Sequence, residues 1–84
     1  MKFKASIKVM LKPVVLDPQG TTLQRALNQL GHENVKFVRV GKLVELVLES
    51  PNPQSALEEV NTWADQLLAN PVMETYSVKL EPQS

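Results

Sequence analysis

The first twelve residues alternate between apolar and mostly basic side chains, and this pattern limits the possible folds more than any other segment. Because successive side chains of a β-strand point to opposite faces, the pattern predicts a strand with one face toward a core. The other face carries four lysines and is predicted to be open to water or to a partner. The core positions are Phe3, Ala5, Ile7, Val9 and Leu11.

A first helix is predicted to begin at Asp17, which is the N-cap, with Pro18 at the first helical position, where a missing N–H costs nothing. The competing start is a capping box formed by Thr21 and Gln24. Gly31 is predicted to end the helix. The apolar positions with helical spacing are Leu23, Ala26, Leu27 and Leu30.

A second helix is predicted to begin in the same way, with Asn52 as the cap and Pro53 as the first helical residue. Asn70 is predicted to take the left-handed conformation that terminates a helix, and Pro71 prevents continuation. The predicted buried stripe, which has Trp63 beside it, is Leu57, Val60, Ala64, Leu67 and Leu68.

Residues 34–50 are predicted to form a β-hairpin. A two-residue turn would mix core and surface positions, whereas a three-residue turn from Gly41 to Leu43 segregates them and favours a positive φ at Gly41. This register pairs Arg39 with Glu45 across the hairpin. Large apolar and ionic groups then share the outer face, which is unusual for a surface that is only solvated. They are Phe37, Arg39, Glu45, Val47 and Glu49.

A closing strand and a polar tail complete the chain. Tyr76, Val78 and Leu80 alternate with polar residues in the strand, and residues 81–84 form the tail. The order β-α-β-β-α-β predicts an α+β fold, a single ferredoxin-like two-layer domain over residues 1–84. Two helices would lie on one face of a four-stranded, mostly antiparallel sheet. A folded chain of 9.4 kDa is expected to expose about 5,000 Å², which allows one small core.

The composition argues against several classes of function. The chain has no cysteine, which excludes a disulfide scaffold, a thiolate metal site and a thiol nucleophile. Nine basic and nine acidic side chains give zero formal charge, and residues 43–48 lack the aromatic side chains that stack on RNA, so no nucleic-acid partner is expected. No apolar run is long enough for a membrane span and lysines interrupt any signal peptide, so a cytoplasmic protein is expected.

No catalytic residue, metal site or cofactor site is predicted. His32 is the only histidine and follows Gly31, where a surface position is expected. The serines lack an activating motif, and the three glycines are isolated and form no phosphate loop. Gly20 costs on the order of 1 kcal/mol relative to alanine inside a first helical turn. We hypothesise that the backbone of a partner or another subunit passes close to Gly20.

Three segments, which occur in a fixed order on a chain of this length, indicate a known protein family. They are Leu16-Asp17-Pro18-Gln19-Gly20, then Val38-Arg39-Val40-Gly41-Lys42 with Glu45-Leu46, then residues 67–74 through Tyr76. Together they closely resemble the PurS family, the small subunit of bacterial and archaeal phosphoribosylformylglycinamidine (FGAM) synthase. The resemblance runs essentially from end to end.

This resemblance implies a role in assembly rather than in catalysis. The family's complex converts formylglycinamide ribonucleotide, glutamine and ATP to FGAM in de novo purine synthesis. A glutaminase (PurQ) releases ammonia and a synthetase (PurL) captures it, so ATP, Mg²⁺ and glutamine belong to the partner subunits. PurS, as a homodimer or a higher oligomer, bridges the two and assists ammonia transfer.

The open sheet face, with Phe37, Arg39, Val47 and nearby Lys42, is the first candidate for subunit contacts, because interface centres are enriched in large apolar residues and arginine. A sheet edge could also extend across a two-fold axis. The full set of interface candidates is Asp17, Gly20, Phe37, Arg39, Lys42, Glu45, Val47 and Asn70. The rival interpretation is an ACT-like regulatory domain that binds amino acids, since such modules share the same order of elements.

Overall fold

The computed structural model of the chain describes residues 1–13, 15 and 17–83. Leu16 of the first family segment and Ser84 of the predicted tail, like Val14, lie outside the described residues. A five-residue π-helical turn, Ala64–Leu68, continues the second helix. The other elements are β1 (Lys2–Leu11), α1 (Pro18–Gln29), β2 (Gly41–Glu49), α2 (Pro53–Trp63) and β3 (Glu74–Gln83).

The strands form one antiparallel sheet in the order β2-β1-β3. The register places Ile7 of β1 opposite Val44 on one side and Val78 on the other. α2 packs on β1 and β3, and Ile7 and Val60 are both fully buried between the two layers. The predicted fold class, an α+β arrangement of two helices and an antiparallel sheet, is confirmed.

The predicted hairpin is wrong. Residues 35–40 are outside the sheet, and Gly41 begins β2 opposite Met10 of β1, so the sheet has three strands rather than four. The register with β1 brings Val44 and Leu48 of β2 opposite Ile7 and Phe3, which builds a core that the isolated hairpin could not supply. Gly41 has no positive φ. A Cβ at Gly41 would lie 2.5 Å from the carbonyl oxygen of Val9, so close approach of the strands favours glycine there.

The C-terminal part of the second helix also differs from its predicted stripe. Val60 and Ala64 are buried as predicted, but Leu57 is 41% exposed and Leu67 is 83% exposed. Leu67 is exposed because of the π-helical turn, in which the Ala69 N–H bonds to the Ala64 carbonyl at 2.8 Å. This turn is wider than an α-helical turn, so its side chains rotate away from the α-helical register. β3 extends to Gln83, so the predicted tail from residue 81 belongs largely to the sheet.

The left-handed conformation predicted for Asn70 is wrong, since no non-glycine residue among those described has a positive φ. The Asn70 side-chain oxygen instead accepts a hydrogen bond from the Val72 N–H at 2.9 Å, and so opens the turn into β3. The helix ends through Ala69, which is extended. Asparagine is therefore used here for its side-chain acceptor rather than for its tolerance of the left-handed region.

α1 begins and ends as predicted, with Asp17 as its N-cap and Gly31, at φ 98°, just after its end. It does not lie on the sheet of its own chain, however, contrary to the predicted second layer, and only α2 does. Leu23 is 48% exposed and Leu30 is 75% exposed. α1 and residues 35–40, which we call the arm, project from the end of the sheet, and the described molecule measures 52 × 29 × 14 Å.

Candidate subunit interface

The arm joins the sheet through a short region that we call the neck, residues 17–20 and 38–41. One carboxylate organises it: Asp17 Oδ1 accepts from the Gly20 N–H at 2.9 Å and Asp17 Oδ2 accepts from the Val40 N–H at 2.8 Å. These N–H groups, Gly20 first and Val40 second, lower the pKa of Asp17 below its ordinary value, and the nearby Arg39 guanidinium adds to the effect. The carboxylate thus fixes the start of α1 to the start of β2.

Gly20 is buried inside the neck. A Cβ at this position would lie 2.2 Å from the carbonyl oxygen of Val38, a distance that no side chain tolerates. A backbone does pass close to Gly20, as hypothesised, but it belongs to the same chain and not to another subunit. The glycine therefore permits α1 to rest against residues 38–40.

Amide side chains of α1 hold the extended segment 35–40 along the helix. Gln24 Nε2 donates to the Lys36 carbonyl at 3.0 Å, and Asn28 Nδ2 donates to the Val35 carbonyl at 3.2 Å. Within the described part of the chain, no strand pairs with this segment. Side chains of a helix therefore stand in for the neighbouring strand that the predicted hairpin would have supplied.

Phe37 and Arg39 lie on this segment, and not on the open sheet face where they were predicted. Phe37 is 75% exposed. Arg39 donates to the carbonyl of Leu11 at the end of β1, so the predicted pair with Glu45 is wrong. Phe37, Arg39 and Asp17 line one groove of about 340 Å³ beside α1.

Lys42 lies one strand position beyond the neck, opposite Val9, whose side chain is in the core. It therefore belongs to the helix side of the sheet and not to the open face. Lys42, Asp17 and Glu74 line a second groove, of about 330 Å³. The Asn70 N–H donates to Glu74 Oε1 at 2.7 Å, which brings the turn before β3 to the same end of the sheet.

Glu45 and Val47 lie on the open face, the side of the sheet opposite α2. Glu45 Oε2 is 3.0 Å from Lys4 Nζ, and this bond raises the pKa of Lys4. Val47 is 61% exposed and Leu43, on the same face, is 62% exposed. Leu43 was missed because it was assigned to a turn; its spacing of four residues from Val47 on one strand face is the signal that could have found it.

The candidate residues therefore fall into two groups. Asp17, Gly20, Phe37 and Arg39 meet at the neck, with Lys42 and the Asn70 turn beside it, whereas Glu45 and Val47 stand apart in the sheet. In residues 1–13, 15 and 17–83, no three His, Cys, Asp or Glu side chains lie together in a way that could hold a metal ion. Exposed apolar side chains next to fixed charges are features of a protein-binding surface.

Membrane insertion through a helix has no support in the described chain. None of its helices combines the length and the apolar character that a transmembrane helix requires.

Comparison with known proteins gives consistent matches over nearly the whole chain. The family model described as PurS: Phosphoribosylformylglycinamidine (FGAM) synthase matches residues 4–82. Phosphoribosylformylglycinamidine synthase subunit PurS of Synechocystis sp. is 46% identical over 78 residues, which are 93% of this chain and 78% of that protein. The corresponding subunit of Bacillus subtilis is 38% identical over 79 residues, 94% of this chain and 93% of its relative.

Solved structures show the same fold. The crystal structure of Methanocaldococcus jannaschii PurS, described as one of the subunits of formylglycinamide ribonucleotide amidotransferase, superposes with a TM-score of 0.87 at 41% identity and covers 98% of this chain and 99% of its own. A chain in the structure of PurLQS from Thermotoga maritima superposes with a TM-score of 0.88 at 37% identity, covering 96% of this chain and 99% of that one. These matches do not favour the ACT-like interpretation.

Proposed function

The chain belongs to the PurS family of FGAM synthase subunits, and from this premise we propose that it is the non-catalytic small subunit that joins a PurL-type synthetase to a PurQ-type glutaminase. The observation that carries the proposal is the likeness to a chain of a PurLQS structure over 96% of this sequence. The partners of this chain would then be the synthetase, the glutaminase and a second copy of itself.

The reaction explains why a bridging subunit is useful. Formylglycinamide ribonucleotide, glutamine and ATP are converted to FGAM by two active sites that share ammonia as an intermediate. Ammonia released into water is protonated and loses its nucleophilicity, so the two sites must be docked with solvent excluded between them. A subunit that holds the two larger proteins in contact contributes to the reaction without touching a reacting atom.

The chemistry of the chain supports this division of labour. The sequence has no cysteine and one histidine, His32, which is exposed beyond α1. We propose that ATP, Mg²⁺ and glutamine bind to the partner subunits and that this chain binds no cofactor. A cytoplasmic location is part of the proposal, because the partners consume ATP and glutamine.

We divide the proposed interface residues by role. Phe37, Leu43 and Val47 offer exposed apolar contacts, and the Lys4–Glu45 pair and Lys42 supply charges near them. Asp17, Gly20, Arg39 and Asn70 act by holding the neck and the turn before β3 in place. Truncation of an exposed apolar residue is therefore expected to change assembly, and truncation at the neck is expected to change the position of the arm first.

Reconstitution with a PurL-type and a PurQ-type protein tests the proposal. Omission of this chain is expected to abolish FGAM formation from glutamine, whereas ammonium salt still drives the synthetase. Val47→Asp, on the open face, is expected to reduce only the glutamine-dependent rate, and Leu67→Asp, at a more exposed apolar residue in the π-helical turn, is the matched control. Equal loss of the glutamine-dependent and ammonium-dependent rates would contradict a non-catalytic role.

A further inference from the structure

The zero formal charge of the chain conceals an uneven distribution of charge along the sheet. At the end of the sheet away from the neck, lysines and glutamates of the open face lie next to one another. Glu49 is opposite Lys2, and Glu45 Oε2 is 3.0 Å from Lys4 Nζ. Glu81 is opposite Lys4 on the other side. This part of the open face is therefore close to electrical balance.

The neck end of the sheet carries cations without such acidic neighbours. Lys8 lies opposite Leu43 of β2, Lys12 follows the end of β1, and Arg39 and Lys42 lie on either side of the start of β2. Within the part of the chain that the structure describes, none of these four cations forms an ion pair. Positive charge therefore accumulates at this end, where it attracts anions from solution.

Two carboxylates lie at the same end, but backbone N–H groups already bind both of them. Asp17 accepts from two N–H groups of the neck, and Glu74 Oε1 accepts from the Asn70 N–H at 2.7 Å. Asp17 is near enough to Arg39 for the guanidinium to lower the pKa of the carboxyl, yet the two groups form no ion pair. An anion can therefore reach the cations without first displacing a carboxylate from them.

Three of the cations line one groove at the start of β2. The groove has a volume of about 480 Å³, which is the size of a site for a single small molecule. Leu43, which is 62% exposed, and Met10 add apolar surface to it. The cations that line it are Lys8, Arg39 and Lys42. Positive charge and apolar surface are thus available to the same small molecule.

We propose that this groove binds a nucleoside monophosphate, with the phosphate held by Lys8 and Arg39 and the base against Leu43. Arg39 donates to the Leu11 carbonyl, which fixes the guanidinium and leaves further N–H donors for phosphate oxygens. A phosphate monoester carries a charge of about −2, which one lysine and one arginine balance. The proposal goes beyond the bridging role, in which phosphorylated substrates bind to the partner subunits.

Titration of the isolated, isotope-labelled chain followed by NMR tests the proposal where no synthetase is present to bind nucleotide. Adenosine monophosphate is expected to cause saturable shifts of the amide signals of Lys8, Gly41 and Leu43. Adenosine is expected to cause none at the same concentrations, because it lacks the phosphate. Inorganic phosphate is expected to bind more weakly, because it makes no contact with Leu43.

Three outcomes of this titration would overturn the proposal. Absence of saturable shifts at these amides would show that the groove is not a binding site. Equal shifts with adenosine would show that the cations take no part in binding. Equal affinity for inorganic phosphate would show an anion site that does not recognise a nucleoside.

Two lysine variants with the same change in net charge localise the site. Lys8→Met is expected to raise the dissociation constant for adenosine monophosphate about 10-fold, the effect of losing one charge-assisted hydrogen bond. Lys8→Arg, which keeps the charge, is expected to bind like the wild type. Lys79→Met is the matched control, because Lys79 lies opposite Ser6, outside the groove, and is expected to leave the constant almost unchanged. Equal weakening by Lys8→Met and Lys79→Met would show a response to net charge alone and would overturn the proposal.

Discussion

The two helices have similar lengths and similar caps, yet they relate to the sheet in opposite ways. α2 buries Ala56 and Val60 completely against β1 and β3, whereas α1 leaves Leu23 and Leu30 exposed beyond the end of the sheet. The difference lies in the connections. α2 is followed by a tight turn that returns the chain directly into β3, whereas α1 is bound along its length to residues 35–40. Amphipathic spacing predicts that a helix face is covered, but the connections decide whether the sheet of the same chain covers it.

The largest expected effect concerns the core between α2 and the sheet. Ile7 is fully buried between α2 and the sheet, and Ile7→Ala is expected to lower the free energy of unfolding by about 2–5 kcal/mol because it leaves a cavity. Urea denaturation measures this change. Leu30→Ala in the arm is the matched comparison and is expected to change the free energy of unfolding much less. An equal loss of unfolding free energy for Leu30→Ala in a monomeric sample would show that α1 is packed as tightly as α2.

The neck is expected to respond to added volume. Gly20→Ala places a Cβ within 2.2 Å of the Val38 carbonyl, so α1 must move away from the extended segment. The expected cost is about 1–3 kcal/mol, the usual range for overpacking. Thermal unfolding monitored by circular dichroism measures it, with Gln19→Ala, exposed in the same helical turn, as the control. A Gly20→Ala chain that is more stable than wild type would contradict the close approach.

The position of the arm is expected to depend on pH through Asp17. Its folded-state pKa is lowered, so its contribution is complete above the ordinary value of 3.8 and is lost as the pH falls through the lower folded value. Hydrogen exchange of the α1 amides, measured from neutral pH down past this range, is expected to show loss of protection in acid. Asp17→Asn cannot accept both N–H bonds and is expected to show weaker protection with little acid dependence. An equal acid response in the variant would assign the titration to another group.

The smallest effect is expected on the open face. The Lys4–Glu45 pair is exposed and screened by salt, so Lys4→Met is expected to leave the denaturation midpoint almost unchanged. The pair raises the pKa of Lys4 above its ordinary value of 10.5, so any contribution is present at neutral pH and is lost as the pH rises through the folded value. Lys79→Met, which removes the Lys79–Glu81 pair, is the control. A large loss for Lys4→Met alone would give the open face a stabilising role.

The sequence correctly predicted those structural features that depend on interactions between residues close together in the chain. The caps Asp17 and Asn52 are confirmed because a side-chain acceptor three residues before an N–H is a short-range interaction. The predicted alternation of buried and exposed side chains in β1 is confirmed, because it depends only on which face of a single strand each residue occupies. The hairpin prediction failed because residues 38–48 alternate well enough for two strands or for one strand with an extended lead, and only pairing with β1 distinguishes them.

The exposure of some candidate interface residues was predictable from the sequence, but their positions in the fold were predicted only in part. Phe37 and Val47 are exposed as expected of contact residues, although they lie in different parts of the molecule. The role of Asp17 in joining α1 to Val40 spans 23 residues of sequence and leaves no local signature. The apolar stripe of α1 was assigned to the core because periodicity does not show whether the connections bring the helix onto the sheet.

The π-helical turn at Ala64–Leu68 has a consequence for the length of the chain. A turn closed over five peptide units accommodates one residue more than an α-helical turn, so this segment behaves as a single-residue insertion that the helix absorbs without a break. Removal of one residue there is expected to shorten the path into β3 and return the Leu67 side chain toward the sheet. Related chains that lack this residue are then expected to carry an apolar side chain at the position of Leu67, whereas chains that keep it tolerate a polar one there.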